Sequence, residues 1–407
     1  MLRAYIYMQP PGQDDLVTLG RLEVGRGGVG EFVYSPAYVE QRWWVPDPIH
    51  FPLRSEPFAN IKTNDGIPGF IRDAAPDGWG ERVITYNSGS SSLSGIEYLL
   101  KSSNVDRAGS LLVGTARKPA ASHKRPEKLD KLDEFIAFAD GLQSGDELSF
   151  SAFRAARQRT SLGGARPKVT LLDGDRIVLA KPKDRHDISD IPVFEHACMT
   201  FAAAKGMRVA TTRLHRGTTS VLLLDRFDRV LTSDGVIQRL PMLSALSLID
   251  GDWRTTAGRE RWRYALVADE MRRRGVPDSD LQELFLRMCF NAFVGNDDDH
   301  PKNHAIIYQA GQWRLSPMYD VVPSLDGAPP SMLSMEPGKL GKMISRQNLL
   351  SYAPHFGHTP NSAAEVIDEV ASWSDELARH YADYMTTAQT ELAMRSVDAK
   401  RLSENNA

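Results

Sequence analysis

Gly295-Asn296-Asp297-Asp298-Asp299-His300-Pro301-Lys302-Asn303 is the stretch on which the reading of the fold turns. It follows LQELFLRMCFNAFV (281–294), where Leu281, Leu284, Phe285, Met288, Cys289, Ala292 and Phe293 recur at helical spacing but spill around much of the circumference, as in a buried helix. Gly295 then supplies a left-handed stop. Three successive aspartates at the carboxyl end of such a helix repel one another and oppose its dipole unless cations or donors compensate them, so the run invites a metal. Downstream, AIIY (305–308), QAGQ (309–312) and WRLS (313–316) read as a hairpin that folds the chain back, so Asn303 and Pro317-Met318-Tyr319-Asp320 are expected at one open end.

Within the loop, Asp298 and Asn303 have the spacing D-x-x-x-x-N of a protein-kinase catalytic loop, where the Asp takes the substrate hydroxyl proton and the Asn holds Mg²⁺. Asp320 stands where such enzymes place a second metal ligand. A solvated turn accounts for Asp297 to Asp299 alone, but not for the spaced Asn303 and Asp320. The same chemistry requires a phosphate-cradling loop, a strand lysine and a helix glutamate upstream, and all three occur in order. Ser161-Leu162-Gly163-Gly164-Ala165-Arg166 carries backbone N–H groups that glycines can expose to phosphate, although turn glycines are common. Lys181 ends the strand RIVLAK (176–181) on the side of Ile177 and Leu179. Glu195 lies beside Phe194, Cys198 and Phe201 on a helix face that packs inward, where a carboxylate needs a cation, and Lys181 is the obvious partner. VLLLDRFDR (221–229) runs from an apolar strand into a charged segment; it reads either as an adenine-contacting hinge or as an edge strand with ion-paired ends.

The chain has 407 residues, 49 of them Lys or Arg and 52 Asp or Glu, for a net charge of −3, without the overall basic charge of a nucleic-acid binder. Its two cysteines, Cys198 and Cys289, fall inside helical apolar patterns and read as buried thiols in a reducing compartment. The amino terminus MLRAYIYMQPPGQDD lacks a basic region followed by an apolar core, and no run of ~18 apolar residues occurs, so the expectation is a cytoplasmic protein without membrane contact. The fold expected is α+β: a β-rich amino-terminal subdomain over residues 1–116, a polar Pro-containing linker over 117–133, a mixed α/β lobe over 134–240 with the phosphate loop, Lys181 and hinge, and a mostly α-helical lobe over 241–407 with the catalytic loop. Helices are expected over 192–205, 242–249, 260–274, 279–294 and 363–394, and strands over 209–214 and 220–225.

SLGGARPKVTLL (161–172), LAKP (179–182), FEHACMTFAAAKGM (194–207), LLLDRFDR (222–229), FNAFVGNDDDHPKN (290–303) and LSPMYDVVPS (315–324) resemble, in order, the motifs of the HipA serine/threonine kinases, toxins of bacterial type II toxin–antitoxin systems. GEFVYSPAYVE (30–40), FPL (51–53), IRDAAPDGWGERVI (71–84) and DRAGSLLVG (106–114) extend the resemblance over most of the chain. It implies ATP and Mg²⁺ as cofactors, Asp298 as catalytic base, Asn303 and Asp320 as metal ligands, and Lys181 as the phosphate-binding lysine. It further implies nucleotide contact from Leu162, Gly163, Gly164 and Ala165 and from Asp225 and Phe227; Glu195, His300 and Lys302 are assigned to the same nucleotide site. Ser161 matches a serine that these kinases phosphorylate on themselves, which ejects the phosphate loop and stops activity. An aminoacyl-tRNA synthetase is among the protein substrates the resemblance implies. The implied partner is a HipB-like helix-turn-helix antitoxin, through which alone the chain would meet DNA.

The doubled glycine with Arg166-Pro167 departs from the family's GAQEK-like loop, and Asp297, Asp299 and Pro301 stand at variable positions. Two rival readings account for fewer of these residues. Asp184-Arg185-His186, Gly251-Asp252 and Gly295-Asn296 resemble blocks of a dimetal phosphoesterase, but the His expected after Gly-Asn is missing. A catalytically weak co-repressor acting with a DNA-binding antitoxin is the non-enzymatic alternative. The seven arginines between Arg254 and Arg274 fit a solvated helix face better than a DNA contact.

Overall fold

The computed structural model describes residues 1–13, 15–90, 92–120, 125–144, 164–233, 235–256 and 258–404. They fall into two compact units, one of residues 1–186, 225–243 and 250–256, the other of residues 187–224, 244–249 and 257–407. The subdomains expected from sequence are distributed over these two units, each of which gathers distant stretches of chain.

In the first unit, β1 (Leu2–Met8), β2 (Val17–Val24), β3 (Gly30–Tyr34), β4 (Phe58–Ile61) and β5 (Leu112–Gly114) form an antiparallel sheet in the order β4-β3-β2-β1-β5. Strict alternation along β3 buries Phe32 and Tyr34, and Phe32 packs edge-on against Tyr34, Phe51 and Phe70 with ring centroids 4.9, 6.3 and 5.5 Å apart. A second group comprises β6 (Glu127–Lys128), β7 (Val169–Asp173) and β8 (Arg176–Pro182). β6 runs parallel to β7, and β7 pairs with β8 across a two-residue turn whose Gly174 has φ +61°. The carboxyl end of the expected linker therefore has regular structure: Glu127 and Lys128 pair in a sheet, and Leu132–Ser144 is a helix whose Phe135 and Phe138 meet Trp79. Polar composition gave no sign of this, because a strand of two exposed residues has no periodicity to read.

The charged segment after the apolar strand is locked into the first unit. The Asp228 carboxylate accepts hydrogen bonds from Arg226 Nε at 2.9 Å and Nη2 at 2.7 Å, from Arg229 Nη1 at 2.8 Å and from the Gly109 N–H at 2.8 Å. All three charged side chains are buried. The two guanidinium groups and the backbone donor overcome the burial penalty and hold the Asp228 carboxyl far below the usual carboxylate range.

The second unit is mostly helical. Asp278–Val294 runs through its core and buries twelve side chains, and Phe290 and Phe293 join Phe201 and Trp373 around it. Ile191–Ala204 matches expectation and ends before Gly206 with φ +83°. Other expected boundaries move. The span 242–249 divides into a strand, Met242–Ser244, and a one-turn helix, Ala245–Leu248, capped by the Ser244 hydroxyl. The helix expected from 260 begins at Tyr264, and 363–394 breaks into Pro360–Ala371, Ser374–Ala382 and Thr387–Met394, each restarted by its own cap or bend. The strand expected over 209–214 is Thr212–Arg216, paired with Ser220–Asp225. Several of the arginines between Arg254 and Arg274 are ion-paired, with Arg263 on Glu336 and Arg274 on Glu270.

Candidate active site

Gly295 ends the core helix at φ +70°, and a Cβ there would sit 2.6 Å from the Ser396 carbonyl oxygen, so only glycine permits the turn. The chain then enters the acidic loop with Asn296 Nδ2 bonded to Asn291 Oδ1 at 3.1 Å. The three aspartates face different surroundings. Asp299 is wholly buried, accepting from the Tyr264 hydroxyl at 2.6 Å and the Ser334 N–H at 2.6 Å, and burial pushes its carboxyl up to about 7. Asp297 is raised by partial burial and by its neighbours Asp326 and Asp298. The Asp298 side chain is 80% exposed. The run is therefore no metal cluster: among the described residues no three His, Cys, Asp or Glu side chains converge to hold an ion. The turn through Asp297 and Asp298 sends successive side chains in different directions, so adjacency in sequence did not become convergence.

Asn303 lies on the one-turn helix Pro301–Asn303, and its Nδ2 donates to the Asp298 carbonyl at 2.8 Å. That bond fixes the amide and leaves Oδ1 for another partner. His300 Nε2 lies 3.9 Å from Asp298 Oδ1. Burial lowers the His300 pKa, and the Asp298 and Asp320 charges both act against that shift. His304, buried behind the loop, is pushed down to about 3 by its burial and by Arg287.

The hairpin closes as expected. Ala305–Gln309 pairs with Gln312–Leu315 through a turn whose Ala310 and Gly311 both have positive φ. Two buried charges seat it. Asp280 accepts from the Leu315 N–H at 2.7 Å and from Arg314 at 2.8 and 2.9 Å, while Arg287 Nη1 donates to the Ser316 carbonyl at 2.8 Å. The Tyr319 hydroxyl then donates to the Lys302 carbonyl at 2.9 Å, tying the segment that bears Asp320 to the acidic loop. Asp320 itself has φ +62°, a conformation uncommon for any residue but glycine and concentrated at functional sites. The structure thus gathers Asp298, His300, Lys302, Asn303 and Asp320 at one end of one hairpin. Asn303 and Asp320 offer the hard oxygen donors that Mg²⁺ takes, and two protein ligands leave its other positions to water and phosphate oxygens.

The remaining sequence-assigned residues lie in other parts of the fold. Ser161, Leu162 and Gly163 lie outside the described residues. Gly164 is held by the helix Gly78–Ser88: its N–H donates to the Asp77 carboxylate, and its carbonyl accepts the Trp79 N–H at 2.7 Å. A Cβ on Gly78, which has φ +42°, would stand 2.5 Å from that carbonyl. The Ala165 carbonyl accepts from Arg82. Asp77 is the residue sequence reading missed here: DGWGER was read only as a loop entering a helix, and nothing local says that its carboxylate reaches a glycine 87 positions away. Lys181 is buried at the end of β8 in the first unit, and Glu195 is buried on Ile191–Ala204 in the second. Asp225 lies 3.5 Å from Arg176 Nη1, and the Arg226 N–H donates to the Ile177 carbonyl at 2.8 Å, which fixes the backbone around Phe227.

Against known families, residues 160–377 match the HipA-like C-terminal domain and residues 15–113 the HipA N-terminal domain. The chain belongs to the HipA family. Two curated relatives come from Sinorhizobium fredii, and both carry provisional kinase names. Y4mE is 25% identical over 80% of this chain and 79% of its own length; Y4dM is 26% identical over 52% of each. Among solved structures, the HipA of Shewanella oneidensis, determined with HipB and operator DNA, superposes with a TM-score of 0.71 over 98% of this chain and 95% of its own at 17% identity. That likeness fixes the HipA fold, and with it the α+β class.

Proposed function

We propose that this HipA-family chain is an ATP- and Mg²⁺-dependent serine/threonine protein kinase of the toxin type, acting on a cellular protein such as an aminoacyl-tRNA synthetase and on its own Ser161. The observation that carries the reading is the hairpin end that holds Asp298, Asn303 and Asp320 together, with Asn303 braced on the Asp298 carbonyl. Bound Mg²⁺ would neutralise phosphate charge. Exposed Asp298 would accept the acceptor hydroxyl's proton, Asn303 and Asp320 would hold the ion, and Lys181, kept charged by Glu195, would hold nucleotide phosphates with the loop Leu162 to Ala165. Asp225, Phe227, His300 and Lys302 complete the proposed nucleotide site. The HipB-bound, DNA-bound state of the Shewanella relative supports a small HipB-like helix-turn-helix antitoxin as partner, with DNA reached through it. No described helix is long and apolar enough to cross a membrane, and a cytoplasmic location is part of the proposal.

The test is incubation of the purified chain with Mg²⁺ and γ-labelled ATP, followed by phosphosite mapping on the chain and on a bacterial lysate. Label is expected on lysate protein and at Ser161, and the Ser161 label is expected to vanish in Asp298→Asn. A phosphate there places about −1.5 to −2 charges beside the phosphate loop, so the modified chain should turn over more slowly. Wild type that gains no label anywhere removes the kinase reading; label at Ser161 that persists without Asp298 removes self-modification alone.

Lys181→Ala is expected to cut transfer strongly and Glu195→Ala less, because Glu195 acts through the lysine. In a double-mutant cycle on kcat/KM the two losses should be non-additive by ~1 kcal/mol or more. Additive losses would show that the two side chains act independently.

A further inference from the structure

The proposed chemistry depends on where the Asp298 carboxylate points, and packing does not set its direction, because the side chain is 80% exposed. The backbone must set it instead. The Asp297 carbonyl belongs to the peptide group before the Asp298 Cα and the Asp298 carbonyl to the one after it, so holding both planes fixes the φ and ψ between them. A side chain holds each plane. The Ser334 hydroxyl donates to the Asp297 carbonyl at 2.8 Å, and Asn303 Nδ2 donates to the Asp298 carbonyl at 2.8 Å. Asn303 has a proposed role as a metal ligand. Ser334, 37 positions beyond Asp297, has had none.

Ser334 is itself seated on the core. Its N–H donates to Asp299 Oδ1 at 2.6 Å, while Asp299 Oδ2 accepts from the Tyr264 hydroxyl at 2.6 Å. That hydroxyl accepts from Asn291 Nδ2 at 3.1 Å, on the helix Asp278–Val294. The Met335 N–H also bonds to the Asp299 carboxylate. Burying a carboxylate against neutral donors is costly, and what it achieves here is to tie Ser334 to the core helix. The flanks of Ser334 are pinned as well. Across the bridge between Met332 and Met343, the Leu333 N–H donates to the Lys342 carbonyl at 3.0 Å and the Ile344 N–H to the Ser331 carbonyl at 2.9 Å. On the other side the Glu336 N–H donates to the Trp262 carbonyl at 2.7 Å, and the Glu336 carbonyl accepts from the Tyr264 N–H at 3.1 Å. All of these residues belong to the second unit.

We propose that Ser334 is a positioning residue for Asp298: its hydroxyl, seated through Asp299, Tyr264 and Asn291, holds the peptide group that aims the Asp298 carboxylate at the acceptor hydroxyl. The proposal rests on the reading of Asp298 as the base. It gives Ser334 no contact with metal, nucleotide or acceptor. Loss of the hydroxyl frees one of the two planes, so the base is misaligned while the groups that hold Mg²⁺ and nucleotide stay in place.

The test compares the full wild-type chain with Ser334→Ala and with Ser334→Thr, which keeps the hydroxyl. Ser334 is half-buried, and its alanine variant loses one hydrogen bond, so that variant should fold and its Tm should fall by no more than about 4 °C. Initial rates of label transfer from γ-labelled ATP with Mg²⁺, to the chain itself and to bacterial lysate protein, are measured across ATP concentrations. Ser334→Ala is expected to lower the maximal rate about ten- to a hundredfold with the half-saturating ATP concentration changed less than about twofold, and Ser334→Thr to recover most of the loss. Hydrogen exchange read by mass spectrometry reports the brace without activity: residues 296–303 should exchange faster in Ser334→Ala than in wild type, and the helix 281–294 should not. The proposal is overturned by a wild-type maximal rate in Ser334→Ala, by a loss carried by the half-saturating ATP concentration, or by a threonine variant as slow as the alanine one. Wild type that transfers no label removes the kinase reading, and exchange alone then decides whether Ser334 holds the loop; equal exchange over 296–303 in both chains overturns that brace.

Discussion

Asp298→Asn is expected to lower phosphoryl transfer by about 10²–10⁴-fold while leaving Mg·ATP affinity nearly unchanged, because the side chain is proposed to act on the acceptor hydroxyl's proton and not on the metal. Asp320→Asn is expected to be equally inactive but to bind Mg·ATP more weakly, since a carboxylate ligand is lost. Asparagine at 298 keeps the backbone carbonyl that Asn303 Nδ2 uses, so the brace of the loop survives the substitution. Asparagine at 320 also tolerates the left-handed conformation observed there, so loss of function would not come from a rearranged backbone. Transfer assays with labelled ATP and calorimetric titration of both variants decide the matter. Full transfer activity in either variant would remove the kinase assignment, and matching affinity losses in both would show that Asp298, like Asp320, acts on the metal.

The second large effect is structural. Asp228→Ala strips the counter-charge from Arg226 and Arg229, both buried, and leaves two guanidinium groups whose remaining acceptors are mainly backbone carbonyls. Removing one partner of a buried ion pair costs ~3–5 kcal/mol because the other charge stays desolvated. Urea denaturation followed by tryptophan fluorescence should show the midpoint for Asp228→Ala falling sharply. The exposed pair of Arg3 and Glu23, cut by Arg3→Ala, serves as the comparison and should move the midpoint little. Equal, small shifts for both variants would mean that the 226–229 segment is held by packing alone.

Much of this site was legible because its signals are local. The spacing from Asp298 to Asn303, the glycine stop at 295 and the two-residue turn at 310–311 are fixed by bonds within a few residues, and the structure has them where the pattern put them. The hairpin converts that local order into one long-range placement, which is why Asp320 could be expected near Lys302 and the Tyr319 hydroxyl is found there. Element boundaries were less legible. The expected helix over 363–394 begins at the Thr359 cap and restarts at the Thr386 cap, whose hydroxyls compete with continued helix only once the flanking chain has packed.

The sequence alone determined the α+β class, the order of the motifs, the buried character of the 278–294 helix and the identity of the loop that carries Asp298, since periodicity and spacing are properties of neighbouring residues. Tertiary structure alone decided which charges are desolvated. Asp297, Asp298 and Asp299 are the same residue type in a row, yet only Asp299 is enclosed by Tyr264 and Ser334. Arg226 and Asp228 looked like ion-paired ends of an edge strand, but contacts with residues more than a hundred positions away, at Asp106, Arg107 and Gly109, make them a buried core. Asp77 acquired its hold on Gly164 in the same way. Burial is a sum over the whole packed chain, and a charge's energy depends on that sum far more than on its neighbours in sequence.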